Sequence, residues 1–293
     1  MKYKVTVSDY CSDWVIKEGY LHPKSTPGYR TREEVIKSYE TLEIDAIELN
    51  ELYWADTSGE RLKAICADSG FPIYSYNFFV DLALAPGELQ RGVDEVRRLI
   101  DKSAEMGSPN AMIVPAALKE GIARDEQRKW IVEGLQRCAA YAQSVGVMLI
   151  SENCDYPPLR PVMGRGSDCH DFCRDVGSPA FRLIYDCCAS LFVEEDPIKT
   201  LHDMKPTMVH VHIKNSRRVG PVEQVERHLD SDGGARYTGV LLDQGAVDIP
   251  AVLAELDKIG YSGFVSVEYQ GMDEPCEALR YNLEYAEKVL GDP

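Results

Sequence analysis

Apolar residues recur along the chain in eight short runs, at about 3–8, 45–49, 72–77, 110–115, 146–152, 181–186, 207–213 and 263–268. The runs are rich in Val, Ile, Tyr and Phe, as strands buried in a parallel sheet are. Segments of helical period lie between them. Thr31 stands at the N-cap of TREEVIKSYETL with Glu34 three residues on, a capping box. Ser58 is placed to cap GERLKAICADSG, which stops at Gly70. Longer amphipathic helices are predicted over 87–106 and 124–145. Ser167 is expected to cap a helix running to Val176, and three more helices cover 195–204, 250–259 and 273–290. Strand then helix, eight times, with no break in composition, predicts a single α/β domain over 1–293: a closed (β/α)8 TIM barrel. The alternative, a doubly wound open sheet, calls for a glycine-rich turn after the first strand, and SDYCSDW contains no glycine.

Two connections exceed ordinary loop length. One runs from Asp9 to Arg30 and carries Trp14, Tyr20, His22 and Tyr29; the other runs from Asn215 to about Val247 and carries Arg217, Arg218, His228 and Arg236. Both follow a strand, so both belong on the C-terminal face of the barrel, where long loops serve as lids or binding loops.

Composition narrows the class. The chain has 293 residues, 44% hydrophobic, enough for one barrel and a sizeable core. Its formal net charge of -16 repels phosphate backbones, which argues against nucleic-acid partners. The nine cysteines are odd in number and irregular in spacing, which fits reduced thiols in a cytoplasmic protein. The start MKYKVTVSDYCSDW has no apolar run of signal-peptide length, and no stretch reaches the roughly 20 apolar residues that span a membrane.

The candidate chemistry lies at the ends of the last four runs. Glu152, Asp186, His212 and Glu268 fall at comparable depths in successive strands. In a parallel barrel such tips form an arc around one point. Two Glu, one Asp and one His make a hard oxygen and nitrogen set for a divalent cation. His210 shares the face of His212 at a spacing of two and sits deeper, as a supporting or substrate-facing group. Trp14, Tyr53, Trp54, Tyr76, Asn77, Phe78 and Phe79 follow strands one to three on the same face, where aromatic walls suit sugars.

VHVHIKN in strand seven and the later DQGAVDIPAVLAELDKIGYSGFVSVEYQG resemble motifs of the sugar isomerase/epimerase superfamily, the xylose isomerase-like barrels. The resemblance covers the whole chain. It implies one divalent ion, Mn2+ first with Mg2+, Co2+ or Zn2+ as alternatives, held by Glu152, Asp186, His212 and Glu268. It implies a carbohydrate substrate and a homo-oligomer, with room for a partner subunit. Glu152 and Glu268 are then the acid–base pair for proton transfer beside a ketose carbonyl, with Lys214 and Arg217 or Arg236 holding substrate oxygens. Three positions depart from the family pattern. Ala189 stands where Asp-x-x-His places a histidine, Cys154 where some relatives carry another, and Asn215 where H-x-K-D ends in aspartate. With Asn77 and Pro115 at strands three and four, the trinuclear site of the nuclease relatives is not expected. An isomerase or epimerase, a lyase that ends the same proton abstraction in β-elimination, and a non-catalytic sugar-binding subunit remain the three readings.

Overall fold

The structure is a computed structural model that describes residues 3–9, 15–17, 20–22, 31–116, 118–154 and 163–291. Eight strands close on themselves: β1 (Lys4–Ser8), β2 (Ala46–Asn50), β3 (Ile73–Phe79), β4 (Asn110–Val114), β5 (Met148–Glu152), β6 (Phe181–Asp186), β7 (Met208–Ile213) and β8 (Phe264–Val267). Each pairs in parallel with its neighbours in chain order, and β8 returns to β1 through Lys4 opposite Phe264. One principal helix follows each strand: α1 (Arg32–Ser38), α2 (Gly59–Asp68), α3 (Leu89–Glu105), α4 (Arg124–Ser144), α5 (Gly166–Val176), α6 (Pro197–Met204), α7 (Ile249–Lys258) and α8 (Pro275–Gly291). This is the eight-stranded barrel that the alternating pattern predicts. No helix among the described residues is long and apolar enough to cross a membrane.

The caps mostly fall where the sequence places them. Thr31 Oγ1 accepts the N–H of Glu34 at 3.2 Å and the Glu34 carboxylate accepts the N–H of Thr31 at 3.3 Å, completing the capping box. Ser58 Oγ accepts from Arg61 at 3.3 Å. Gly70 takes a φ of +80°, a left-handed turn after α2 that a side chain resists. The exception is α5, which starts at Gly166 without a side-chain cap of its own. The carboxylate of Glu195, far along the chain, accepts the Gly166 N–H at 2.7 Å instead of Ser167. A cap supplied from outside the local sequence is invisible to local pattern reading. The connection after β7 also differs from a plain loop: Asn215–Arg218, Leu229–Asp230 and Arg236–Val240 form an antiparallel sheet. In the first long connection, Val15–Lys17 and Tyr20–His22 form a two-stranded hairpin. Trp14 and Tyr29 lie outside the described residues.

The strands are not apolar throughout. Val5, Val7, Ile47, Leu49, Val211, Ile213, Val265 and Val267 belong to the main apolar core. Thr6, Glu48, His210, His212 and Ser266 alternate with them and are equally buried. The period of two thus sends one set to the helices and the other to the barrel interior. That interior is divided. Strands β4, β5 and β6 supply Met112, Ile150 and Ile184, a separate small apolar cluster, whereas strands on the other side supply polar groups.

Asn215 fixes the chain just beyond β7. Its amide donates to the carbonyls of Leu242 (2.7 Å) and Val247 (2.9 Å), while its oxygen accepts the N–H groups of Ser216 and Val247, each at 3.0 Å. Gly245 is required beside it, since a Cβ there would lie 1.9 Å from Asn215 Oδ1. A carboxylate cannot donate to two carbonyls, which is why asparagine stands here in the place of the family aspartate. Asn215→Asp is expected to destabilise the fold by about 3 kcal/mol, read as a lower urea midpoint with an unchanged slope.

Candidate metal centre and substrate cavity

Topology brings the four strand-end groups together. Asp186 of β6 lies directly opposite His212 of β7 in the sheet register, and Ser266 of β8 flanks His212 on its other side. Glu268 follows the last residue of β8, its N–H bonded to the carbonyl of Ile213 at 3.0 Å. Around the imidazole, His212 Nδ1 is 3.1 Å from Glu152 Oε2 and 3.5 Å from Glu268 Oε1. Lys214 Nζ ties in the fourth group, at 2.7 Å from Asp186 Oδ2 and 2.8 Å from Glu268 Oε2. Asp186 Oδ1 accepts the N–H groups of Cys188 (2.9 Å) and Ala189 (3.3 Å), which aims Oδ2 inward. Asn153 clamps the tips of β5 and β6, exchanging hydrogen bonds of 2.7 and 3.0 Å with the backbone of Asp186.

The electrostatics couple these groups tightly. Three carboxylates share a buried space with His212 and Lys214. Burial raises the Asp186 carboxyl above its ordinary range, with Glu152 and Glu268 adding to the effect against the pull of Lys214. Burial acts the same way on Glu152, but Lys214 and His212 outweigh it and hold that carboxyl low. Burial alone would lower Lys214; Asp186 and Glu268 reverse this and keep it a cation. Burial would also lower the His212 imidazole, but Glu268 and Glu48 outweigh it and raise the ring well above its ordinary range, so Lys214 and His212 compensate these carboxylates. An imidazole nitrogen with three carboxylates is also a fitting donor set for a hard divalent ion.

A second cluster lies deeper. Glu48, His210 and His212 each offer a donor atom within 4.8 Å of the others, which is also an arrangement able to hold a metal. Its valences are already spoken for. Glu48 accepts from Thr6 Oγ1 (2.6 Å), Ser75 Oγ (3.0 Å) and Asn77 Nδ2 (3.3 Å), and its Oε1 lies 3.0 Å from His210 Nε2. His210 Nδ1 faces the Phe264 carbonyl at 3.0 Å. His210 thus bridges the Glu48 carboxylate and the Phe264 carbonyl. Neither group lines the cavity described next.

Above the strand ends is a cavity of about 420 Å³. Its lining combines the polar Glu51, Asn77, Glu152, His212, Lys214, Glu268 and Gln270 with the apolar Phe78, Met112 and Val114 and the half-exposed Leu52 and Phe79. The sequence-derived candidates therefore separate. Asn77 and Lys214 line the cavity. Trp54 is buried beneath it, its indole N–H donating to Asp9 at 2.6 Å, so it meets protein rather than the cavity space. Tyr76 is likewise core, hydrogen-bonded to Glu51. Arg217 pairs with Glu223 at 2.5 Å and holds that carboxyl down to about 2. Arg236 donates to the Gly220 carbonyl at 3.0 Å. Both arginines thus fasten the antiparallel sheet after β7 and stand apart from the cavity lining. Pattern reading passed over Glu48, Asn153 and Gln270. For Glu48 a signal was present: a lone carboxylate inside the apolar run AIELN, at the same depth as His210 in MVHVHI.

Comparison with known proteins agrees with the barrel fold. The profile of the family described as xylose isomerase-like TIM barrel matches residues 36–289. A 2-epi-5-epi-valiolone 7-phosphate 2-epimerase from Actinoplanes sp. is 26% identical over 204 residues, 67% of this chain and 69% of that one. Among solved structures, an L-ribulose 3-epimerase superposes with a TM-score of 0.76 at 16% identity, covering 98% of this chain and 94% of its own. A xylose isomerase-like TIM barrel protein from Mycobacterium smegmatis, in complex with magnesium, superposes with a TM-score of 0.67 at 18% identity, covering 98% and 96%.

Proposed function

The chain belongs to the xylose isomerase-like TIM-barrel family, and we propose that it is a divalent-metal-dependent isomerase or epimerase of a ketose or keto-sugar derivative. The observation that carries this is the convergence of Glu152, Glu268 and His212 in the lining of a sugar-sized cavity, with the buried Asp186 tied to Glu268 through Lys214. The epimerase names of the matched proteins and the magnesium held by one of them support it.

Glu152, Asp186, His212 and Glu268 would hold the ion, through Nδ1 of the imidazole. When bound, it supplies Lewis-acid polarisation of a substrate carbonyl, and the oxygen-rich set favours Mn2+ or Mg2+. The remaining work falls to the side chains. Glu152 and Glu268 approach from strands β5 and β8, on either side of His212. One removes the α-proton and the other returns a proton to the opposite face, which inverts the carbon centre. Lys214, kept cationic between Asp186 and Glu268, steadies the negative charge that develops on the substrate oxygens. The apolar wall of Phe78, Met112 and Val114 excludes water from the carbon being deprotonated and packs against the substrate face away from its hydroxyls.

The test is a panel of ketoses, inososes and 3-oxo-glycosides incubated with the protein in D2O and followed by mass spectrometry. The proposal predicts a product of unchanged formula that carries one solvent deuterium. Loss of water or of an aglycone would instead identify a lyase on the same scaffold. Absence of exchange with every member, using protein shown to contain metal, would overturn the proton-transfer reading.

A further inference from the structure

Glu48 is buried, sits on β2, and reaches across the barrel interior toward β7, from which β1 and β8 separate it in the sheet. Its Oε1 is committed to Thr6 and His210. Its Oε2 accepts from Ser75 and Asn77 and lies 3.6 Å from His212 Nε2. That nitrogen is the one polar atom of His212 left without a hydrogen-bond partner, and it is fully buried. The other ring nitrogen, Nδ1, faces Glu152 and Glu268. The two ends of one imidazole thus see two different carboxylate environments: a fixed, fully hydrogen-bonded one below and the open cavity floor above.

We infer that Glu48 is a positioning residue for the cation site, holding the Nε2–H of His212 so that Nδ1 is presented, bare, to the ion. A ligating histidine needs its second nitrogen engaged by an acceptor, which fixes both tautomer and ring orientation. Oε2 is the acceptor in place. A ring movement of a few tenths of an ångström closes 3.6 Å to ordinary hydrogen-bond length. His210 has the complementary task. It fixes Glu48 from the other side, anchored in turn on the Phe264 carbonyl, and its ring meets that of His212 edge-on at a centroid distance of 4.9 Å. The polar half of the barrel interior is therefore a relay of fixed contacts, Phe264 to His210 to Glu48 to His212, that ends at the cation. Glu48 does not itself touch the ion or substrate.

This inference rests on His212 as a ligand in the proposed function, and its test separates the two. Metal-free wild type, Glu48→Gln, Glu48→Ala and Glu152→Ala are titrated calorimetrically with Mn2+ alone, and the thermal midpoint of each metal-free protein is recorded. Wild type should bind one ion per chain. Glu48→Ala should weaken binding by about ten- to a hundredfold, and Glu48→Gln, whose amide oxygen still accepts a hydrogen bond, should recover part of the loss. In Zn2+-loaded protein with 15N-labelled histidine, His212 should show the Nε2–H tautomer in wild type and lose that single state in Glu48→Ala. A lowered metal-free midpoint with unchanged Mn2+ affinity and unchanged tautomer would mean that Glu48 only packs the barrel, and would overturn the inference. Failure of wild type to bind Mn2+, or Glu152→Ala binding it as wild type does, would instead strike the metal reading beneath it.

Discussion

Glu152→Gln and Glu268→Gln should each slow exchange of the substrate α-hydrogen with solvent by about 10² to 10⁴-fold, the range a single general acid or base contributes. Glutamine keeps the shape of either side chain and can still offer an oxygen to a cation, but it cannot take or return a proton. The two variants should differ in a diagnostic way. If each carboxylate serves one face, an epimer pair run in opposite directions exposes them separately. The variant lacking the base for one substrate still washes deuterium into the other epimer through its intact partner. Both variants should keep the wild-type fold, because Glu152 and Glu268 are held by Lys214 and His212 at the cavity floor rather than packed in the apolar core. Exchange at the wild-type rate in both would mean that neither carboxylate moves the proton.

Removal of the divalent ion should have the largest effect of all. Prolonged chelation is expected to bring activity to background and to lower the melting temperature, since three buried carboxylates then rely on Lys214 and His212 alone for compensation. An ion that binds only the folded chain stabilises it by about 2.7 kcal/mol at a free concentration one hundred times its dissociation constant. Readdition of Mn2+ should restore both properties together. Asp186→Asn and His212→Gln should blunt the restoration, whereas a distant control such as Arg217→Ala, which alters a surface pair with Glu223, should leave it intact. Activity unaffected by exhaustive chelation, confirmed by elemental analysis, would contradict the mechanism.

Much of this was written in the chain because the barrel imposes two regularities that sequence can carry. Alternation of strand and helix gave the topology, and a parallel barrel turns residues spread over more than a hundred positions into neighbours: Asp186 and His212 stand side by side in the register, and Glu152 and Glu268 close on the same imidazole. The aromatic side chains were less legible. Trp54 follows β2 on the correct face, yet a buried acceptor in Asp9 draws its indole N–H into the protein, and which way a side chain turns at a strand end is decided by such tertiary partners. The arginines fell to the same cause, since nothing local to Arg217 or Arg236 announces that the connection after β7 folds into its own sheet. Glu48 was hidden for the opposite reason. It lies within an apolar run where a polar residue reads as an irregularity, and only barrel closure shows that β2 points it at His210 and His212.

That deeper cluster also offers the sharpest contrast for the account as a whole. Anomalous diffraction at the manganese edge from crystals grown with Mn2+ locates the ion without reference to activity. The prediction is one peak on the cavity floor, within ligand distance of Glu152, Asp186, Glu268 and the Nδ1 of His212, with Glu48 on the far side of the ring. A peak lodged among Glu48, His210 and the Nε2 of His212, or none in the barrel at full Mn2+ loading, would contradict it.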